Sequence, residues 1–377
     1  MSEIRVNNLS NESDSGGPTI SGITTFSGTN FFVPPVGNTA QRPENPEEGS
    51  IRFNIDNKHL EYFKGDGVGG WVEVEATSEE LNGGYRGVFT GAYNPSKSDT
   101  MDYVTISTLG NAIDFGNLSA TRGYMNYGNI GSRTRGIWGG GYAAGNKDII
   151  EYITFSILGN TTDFGNLTEA RDSPASASNN QIGVFCWGHP ATQSNTMDYI
   201  TIAQTGNAVD FGDAIDSRSN ATACANTVKG FYWAGNVPGA VGQNIQTIIF
   251  ATTGSAVDSG YDNTDHVNNA GSCSNAVRGL LGGGQTIPAN VQYNAIEYIT
   301  MASLGNSVDF GDLTMVWNAP ECCSSPTRGL WGGGDSPAHT NTIDYVQIMS
   351  LGNAKDFGDL TEERSFGAAA SNGHGGL

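Results

Sequence analysis

Several groups of residues in this chain could do chemistry by type and spacing. The "DFGD" and "DFGN" segments set carboxylates three residues apart, as Asp210 with Asp213 and Asp309 with Asp312. Such pairs could hold calcium once per segment. A calcium loop needs a dense alternation of oxygen ligands, which no segment supplies. The acids therefore read as solvated charges at strand ends, where they discourage edge pairing. The glycine triplets Gly139–Gly141 and Gly332–Gly334 have the look of phosphate loops. A phosphate loop continues into Lys and Ser/Thr at a helix start, and neither triplet does. Glycine here is expected to allow close backbone packing or a bulge at a strand end. The kinase reading of DFG fails because the lysine and catalytic-loop context is missing.

Five histidines, His59, His189, His266, His339 and His374, lie at no metal-ligand spacing. Cys224, Cys273 and Cys323 are separated by 49 and 50 residues. A ring of thiolates around an axis would bind metal. The alternative is a crowded position that accepts only Ala or Cys, since free cysteine packs as a small hydrophobe; Ala177 and Ala369 hold the matching places elsewhere. The second reading is preferred. No catalytic residue, metal ligand or cofactor site is assigned, and the ligand-binding residues stay unknown.

The cysteine spacing belongs to a longer pattern. "MDYVTISTLGNAIDFGNLSATR" from Met101, "IEYITFSILGNTTDFGNLTEAR" from Ile150 and "IDYVQIMSLGNAKDFGDLTEER" from Ile343 are near-copies. A second marker is a basic-Gly or apolar-Gly step before an apolar run, with glycines at 87, 136, 183, 230, 279, 329 and 375. Their spacings of 49, 47, 47, 49, 50 and 46 residues match the length of a four-stranded propeller blade, about 40–50 residues. Each unit reads as four strands: the glycine-run strand, the "DYVTI" strand, the "DFG" strand, and a small-residue strand after an arginine. The "LGN" between the second and third suits a tight turn, because Gly and Asn tolerate positive φ. The "DYVTI" strand carries apolar residues on both faces and is expected to be buried on both. One unit lacks a small-residue strand before Arg86, and one such strand, near Ser365–Asn372, lacks a unit. The two are predicted to pair beside Arg86–Gly91, because buried backbone groups need partners.

The bulk composition agrees. Of 377 residues, 53 are Gly, 15% are charged, and Asp plus Glu exceed Lys plus Arg by 38 to 18, for a net charge of −20. That surface repels nucleic acid and anionic membranes. Five cysteines without a CxxC pair give no disulfide framework or zinc site. The N-terminus has no signal-peptide pattern, and no run nears the roughly 18 apolar residues of a membrane helix. A soluble chain made in a cytoplasm is expected, with helix periodicity scarce and the fold class all-β.

The pieces "RSFGAAASNG", "RGLWGGG", "IDYVQI" and "AKDFGDL" follow the order of the kelch repeat. In that family the innermost strand follows an arginine, the next ends in glycines, and two outer strands complete a blade. The resemblance runs from Arg86 to Leu377. The tyrosine and tryptophan that kelch repeats place after the glycines are only partly present. It implies a six-bladed kelch-like β-propeller over residues 81–377, closed by the C-terminal strand.

Residues 1–80 do not share the repeat. "PENPEEG" is a turn-rich entry, "SIRFNI" and "HLEYFK" form a hairpin across Asp56-Asn57-Lys58, and Trp71 closes a small apolar face. Three such strands are too few for a core of their own, so association with copies of itself or with a partner is expected. The stretch "QRP-x-x-P-x-x-G-x-IRFN" with "LEYF" and a tryptophan resembles a module of structural proteins of tailed bacteriophages, especially appendages of phages of aquatic bacteria. That resemblance implies a virion protein, not an enzyme. Its N-terminal module, trimeric as in fibre-like proteins, would attach to other virion proteins. The displayed propeller would contact the host surface, a cell-surface glycan among the candidate partners. Two alternatives stand beside this reading: a capsid-decorating or head-fibre protein that binds only virion subunits, and a polysaccharide-active propeller enzyme. The loops "AYNPSKSDT", "YAAGNKD", "HPATQSNT", "NVPGAVGQN", "QTIPANVQYN" and "DSPAHTN" differ most between units. They are expected on one rim, where recognition would lie.

Overall fold

The computed structural model describes residues 34–377 except 57–58, 66–69, 74–84, 94, 126, 239, 265–266, 287–288, 304 and 337. The described residues are all-β, arranged in several small sheets. The chain divides into two compact units, Met1–Glu79 and Glu80–Leu377.

In the first unit Ile51–Asn54 pairs antiparallel with His59–Phe63, giving the expected hairpin, and Trp71–Glu73 adds beside it. Asn57 and Lys58 of the turn lie outside the described residues. Two features differ from the sequence reading. Val36–Gly37 adds a fourth strand, parallel to Phe53–Asn54. The buried centre is also polar: Glu61 is fully buried and accepts from Arg42 Nη2 at 2.6 Å and Asn54 Nδ2 at 3.2 Å, with Arg52 beside it. Two guanidiniums can hold an acid in so small a unit, because a buried charge must be paired. Arg42 in particular holds the Glu61 carboxyl below its ordinary value. The apolar residues Val36 and Ile51 stay more than half exposed, lining a groove of about 400 Å³ with Pro43, Pro46 and Trp71.

The second unit repeats one sheet. The order inner strand, glycine-run strand, third strand and outer strand is seen in Thr222–Ala225, Lys229–Trp233, Asn244–Ile249 and Val257–Asp262. It recurs in the sheet beginning at Gly271–Ser274 and in the one beginning at Glu321–Ser324. In the first sheet the inner strand comes from the far end of the chain: Ala368–Ser371 pairs antiparallel with Gly87–Thr90, where the sequence placed it. Inner strands touch in succession, and the last touches the first.

The second sheet departs from the pattern. Its inner strand, Tyr127–Asn129, joins Arg135–Gly139 only through a Gly131–Gly136 bridge. It pairs instead in parallel with Ala175–Ser178 of the third sheet. Gly128, at φ +111°, permits this approach, because a Cβ there would sit 2.0 Å from the Ser176 carbonyl oxygen.

The repeated motifs are explained mostly by contacts between sheets. The "LGN" turn of each sheet is gripped by the outer strand of the preceding one. Gly159 N–H donates to Phe115 O at 2.8 Å and Thr161 N–H to Asn117 O at 3.0 Å, while Asn160 Oδ1 accepts from Asn117 N–H at 3.1 Å. The last-to-first junction repeats the arrangement, with Gly110 N–H donating to Phe357 O and Ala112 N–H to Asp359 O. The glycine of "DFG" is required here. At Gly116, φ is +145° and a Cβ would lie 2.3 Å from the Gly159 carbonyl oxygen. The outer strands are therefore not the free edges that the acidic segments suggested. Asp210, Asp213 and Asp309 point charges into solvent, but the Asp213 carbonyl accepts from Ala256 N–H at 2.8 Å. The "DFG" phenylalanine packs edge-on against the tyrosine of the third strand, as Phe164 on Tyr152 at 5.9 Å, which contributes about 1 kcal/mol beyond area. Tyr152 is half-buried and Ile153 buried, so the third strand is covered on both faces.

Two sets of arginines add to the junctions. Arg86, Arg135, Arg278 and Arg328 stack on a tyrosine of their own sheet and donate to a carbonyl of the next, as Arg328 to Ile106 O at 2.8 Å. The four arginines that lead into inner strands are buried; three pair with an acid of the third strand, Arg122 with Glu151, Arg171 with Asp198 at 2.8 Å and Arg364 with Asp102 at 2.5 Å, while Arg218 pairs with Asp216 of its own strand at 2.8 Å. Val267 and Trp317 replace the arginine in two sheets.

Candidate functional site

Each inner strand is entered through one residue in the left-handed region: Tyr124, Ser173, Asn220, Asn269, Ala319 and Phe366, at φ between +51° and +60°. None is glycine, so each costs free energy, on the order of 1 kcal/mol. Hydrogen bonds between neighbouring sheets hold them there. Ser173 N–H donates to Tyr124 O, Tyr124 N–H to Phe366 O, Phe366 N–H to Ala319 O, Ala319 N–H to Asn269 O, and Asn269 N–H to Asn220 O, at 2.7–3.3 Å. The residue before each one meets the start of a variable connection. Bridges join Gly123 to Tyr142, Asp172 to His189, Ser219 to Asn236, Asn268 to Gln285 and Asn318 to Asp335, and Tyr93 N–H donates to Ser365 O at 3.0 Å. All six variable connections thus begin around this one ring of residues.

Part of the ring is aromatic. Tyr93 packs on Tyr124 at 4.5 Å and Tyr124 on Phe366 at 4.6 Å, with Tyr142 against Tyr93 at 6.1 Å. Lys97 Nζ lies over the Tyr142 ring at 4.8 Å. Burial, the largest cause, raises the Tyr124 phenol to about 12.

Directly inside the ring, where the inner strands begin, is a small chamber of about 10 Å³ lined by Tyr127, Thr222, Ser272 and Glu321 among others. Tyr127, Thr222 and Glu321 are at most 4% exposed. The Thr222 hydroxyl has no hydrogen bond; the Tyr127 hydroxyl has Ser173 beside it and the Glu321 carboxyl the Thr90 backbone, but neither contact reaches ordinary hydrogen-bond geometry. Burial drives the Glu321 carboxyl well above its ordinary value, against smaller lowering by Arg364 and the Thr90 backbone. Burial therefore favours its protonated form, which can donate as well as accept. Nearby, at the ring itself, the Oδ1 atoms of Asn268, Asn269 and Asn318 are also unpaired. Buried polar atoms are nearly always paired, so a cluster of exceptions at one place marks a candidate site.

The other end of the inner strands is closed. Ser274 Oγ donates to Ala225 O, Ser324 Oγ to Ser274 O and Ser371 Oγ to Ser324 O, at 2.6–2.8 Å. "HGGL", which carries the last marker glycine, Gly375, is followed by no outer strands. It turns inward among these strand ends: a Cβ on Gly375 would lie 2.4 Å from the carbonyls of Ala225 and Asn275, and one on Gly376 1.8 Å from that of Ser178. His374 is buried, with Nε2 donating to Gly131 O at 3.2 Å and Nδ1 accepting from Gly376 N–H at 3.2 Å.

Burial lowers the His374 pKa from 6.5 to about 4. The folded state keeps this imidazole neutral where the unfolded chain would protonate it. Its contribution is therefore complete above about pH 6.5 and is lost as pH falls toward 4, by up to about 3 kcal/mol. Glu321, raised in the fold, has the opposite slope, so the His374 part is read against a variant. The stability difference between the wild-type chain and His374→Gln should shrink by about 2–3 kcal/mol from pH 7 to pH 4.5 in urea unfolding. A difference constant with pH would contradict a buried neutral imidazole.

The other residues weighed for chemistry are dispersed. His189 is exposed. His339 Nδ1 lies 3.7 Å from Asp335 and 3.3 Å from Ser365 Oγ. His266, and the side chain of His59, lie outside the described residues. Among the described residues, no group of three or more His, Cys, Asp or Glu could hold a metal ion. The cysteines fill notches: Cys224, Cys273 and Cys323 point Sγ at Gly279, Gly329 and Gly87 of the next sheet, 2.5–2.7 Å from where a Cβ would stand. This explains both the Ala-or-Cys position and the glycine of the Arg-Gly step. Burial raises the thiols of Cys186, Cys224, Cys322 and Cys323, and all five cysteines are buried and free. An aromatic disulfide reagent should label none in the native chain and all five after denaturation, because the thiolate is the reactive form. The glycine runs act at strand ends: Gly141 N–H donates to Arg171 O and Gly334 N–H to Arg364 O.

No protein-family model and no curated protein matches the chain.

Proposed function

We propose that the chain is a non-enzymatic structural protein of a tailed-phage particle. Residues 81–377 form a six-bladed, kelch-like β-propeller, and the N-terminal module attaches it to other virion proteins, as in a tail-fibre-like appendage. The observation that carries this reading is the gathering of all six variable connections around six left-handed residues joined in succession by five hydrogen bonds. Loops that differ in sequence on a rigid repeated scaffold are suited to recognition. The succession of inner-strand contacts that returns to its start supports the propeller. The phage context rests on the "QRP-x-x-P-x-x-G-x-IRFN" resemblance. The half-exposed Val36 and Ile51 groove supports association of the module with copies of itself, as a trimer, or with a virion partner.

Binding of the purified full chain to host cells tests the recognition role. Saturable binding, reduced by exchanging the variable loops, is expected; no binding, or binding indifferent to the exchange, favours a decorating protein that touches only virion subunits. Light scattering tests the assembly: a monodisperse monomer at micromolar concentration would count against the trimer.

A further inference from the structure

We infer that the ring of left-handed residues is the mouth of a blind socket for a neutral, hydroxyl-bearing ligand. The ligand is the terminal residue of a saccharide, seated with one hydroxyl on Glu321, Tyr127 and Thr222. This rests on the recognition role proposed above and gives it a site and a ligand class.

The order along the inner strands dictates the direction of entry. The ring stands at their start, the chamber just inside, and the serine contacts and His374–Gly376 at their finish. A ligand can come only from the side where the variable connections begin. A chamber of about 10 Å³ admits one oxygen-sized group and no more. The groups that wait there are a carboxyl, a phenol and an alcohol, all buried and none in a well-formed hydrogen bond. A ligand hydroxyl both donates and accepts, so it can satisfy several of them at once. An anion would find no cationic group among these three to balance its charge. A cation would require that carboxyl ionised, and burial opposes this. A neutral hydroxyl remains. Above it, Tyr93 and Tyr124 are half-buried and offer ring faces to the C–H side of a pyranose, while Asn269 presents an unpaired amide oxygen. Apolar walls with a few converging polar groups are the usual form of a small-ligand site.

The test uses the full chain and free glucose, galactose, mannose, rhamnose and N-acetylglucosamine, one at a time, by saturation-transfer NMR. At least one should receive saturation. Tyr127→Phe and Thr222→Val each remove a hydroxyl that makes no well-formed hydrogen bond in the free protein. Neither should lower the melting temperature, and each should weaken that sugar's binding about 10-fold. No transfer to any of the five sugars would overturn the proposal. So would binding unchanged in the doubly substituted chain; in that case host-cell binding by the same variant would show the recognition role standing without this site. A variant that melts early would be replaced by Tyr124→Ala, which must also lose the sugar signal if the socket is real.

Discussion

A chain cut after Glu363, lacking its last fourteen residues, loses cooperative stability across the repeated sheets of the second unit. The tail carries the inner strand of the first sheet, the Arg364 partner of buried Asp102, Phe366 of the mouth ring, Ser371 of the serine contacts and His374 at the strand ends. Any one of these would cost a few kcal/mol. Asp102 alone, left buried without its guanidinium, costs about 3–5 kcal/mol. The glycine-run strand Arg86–Ala92 would also lose its partner along Gly87–Thr90. The melting temperature should fall by at least about 10 °C, at roughly 2–4 °C per kcal/mol for a domain of this order of size, or no folded domain should be recovered. The loss should appear throughout the repeats in hydrogen exchange. Melting at the temperature of the full chain, or exchange confined to the first and last sheets, would contradict this account.

Asp198→Ala is expected to be the most costly single substitution away from the chain ends. Asp198 and Arg171 are both fully buried, with Nη2 and Oδ2 2.8 Å apart. The acid also accepts from the Thr168 hydroxyl at 2.5 Å and backbone N–H at 3.3 Å. Removing it leaves the buried guanidinium with only the part-exposed acid Glu169 at 3.3 Å and frees the Thr168 contacts. A loss of about 3–5 kcal/mol should show as a lower urea midpoint with an unchanged slope. The paired change Arg171→Met with Asp198→Leu should recover most of it, since an apolar pair of similar volume often replaces a buried ion pair without loss. If Asp198→Ala costs under about 1 kcal/mol, the pair does not hold the junction.

Sequence showed the period, the four-strand order and the partner of the last strand, because these are local patterns repeated six times. Cys323 was legible as a crowded position for the same reason. What the repeated motifs do was not. "LGN" reads as a hairpin turn because its neighbours in sequence are strands, yet Gly159 bonds to Phe115, 44 residues earlier. The arginine of "TEAR" looks like a surface residue beside Glu169, and only folding brings Arg171 to Asp198 in the next sheet. The mouth ring had no signal in composition: Tyr124, Ser173, Asn220, Asn269, Ala319 and Phe366 share a backbone angle and not a side-chain type. A positive φ is announced by glycine or asparagine, and four of the six positions have neither. In the N-terminal unit the alternation of "SIRFNI" gave the hairpin, but nothing local announced that Glu61 would be buried between Arg42 and Arg52.

The most direct test of the proposed role is electron cryomicroscopy of intact particles that carry the chain. The account predicts a ring of six blades on each copy, with the N-terminal module against the particle and the rim of variable connections, Tyr142, His189, Asn236, Gln285 and Asp335 among their first residues, turned outward. A rim buried against neighbouring virion subunits, or purified particles without this chain, would contradict it.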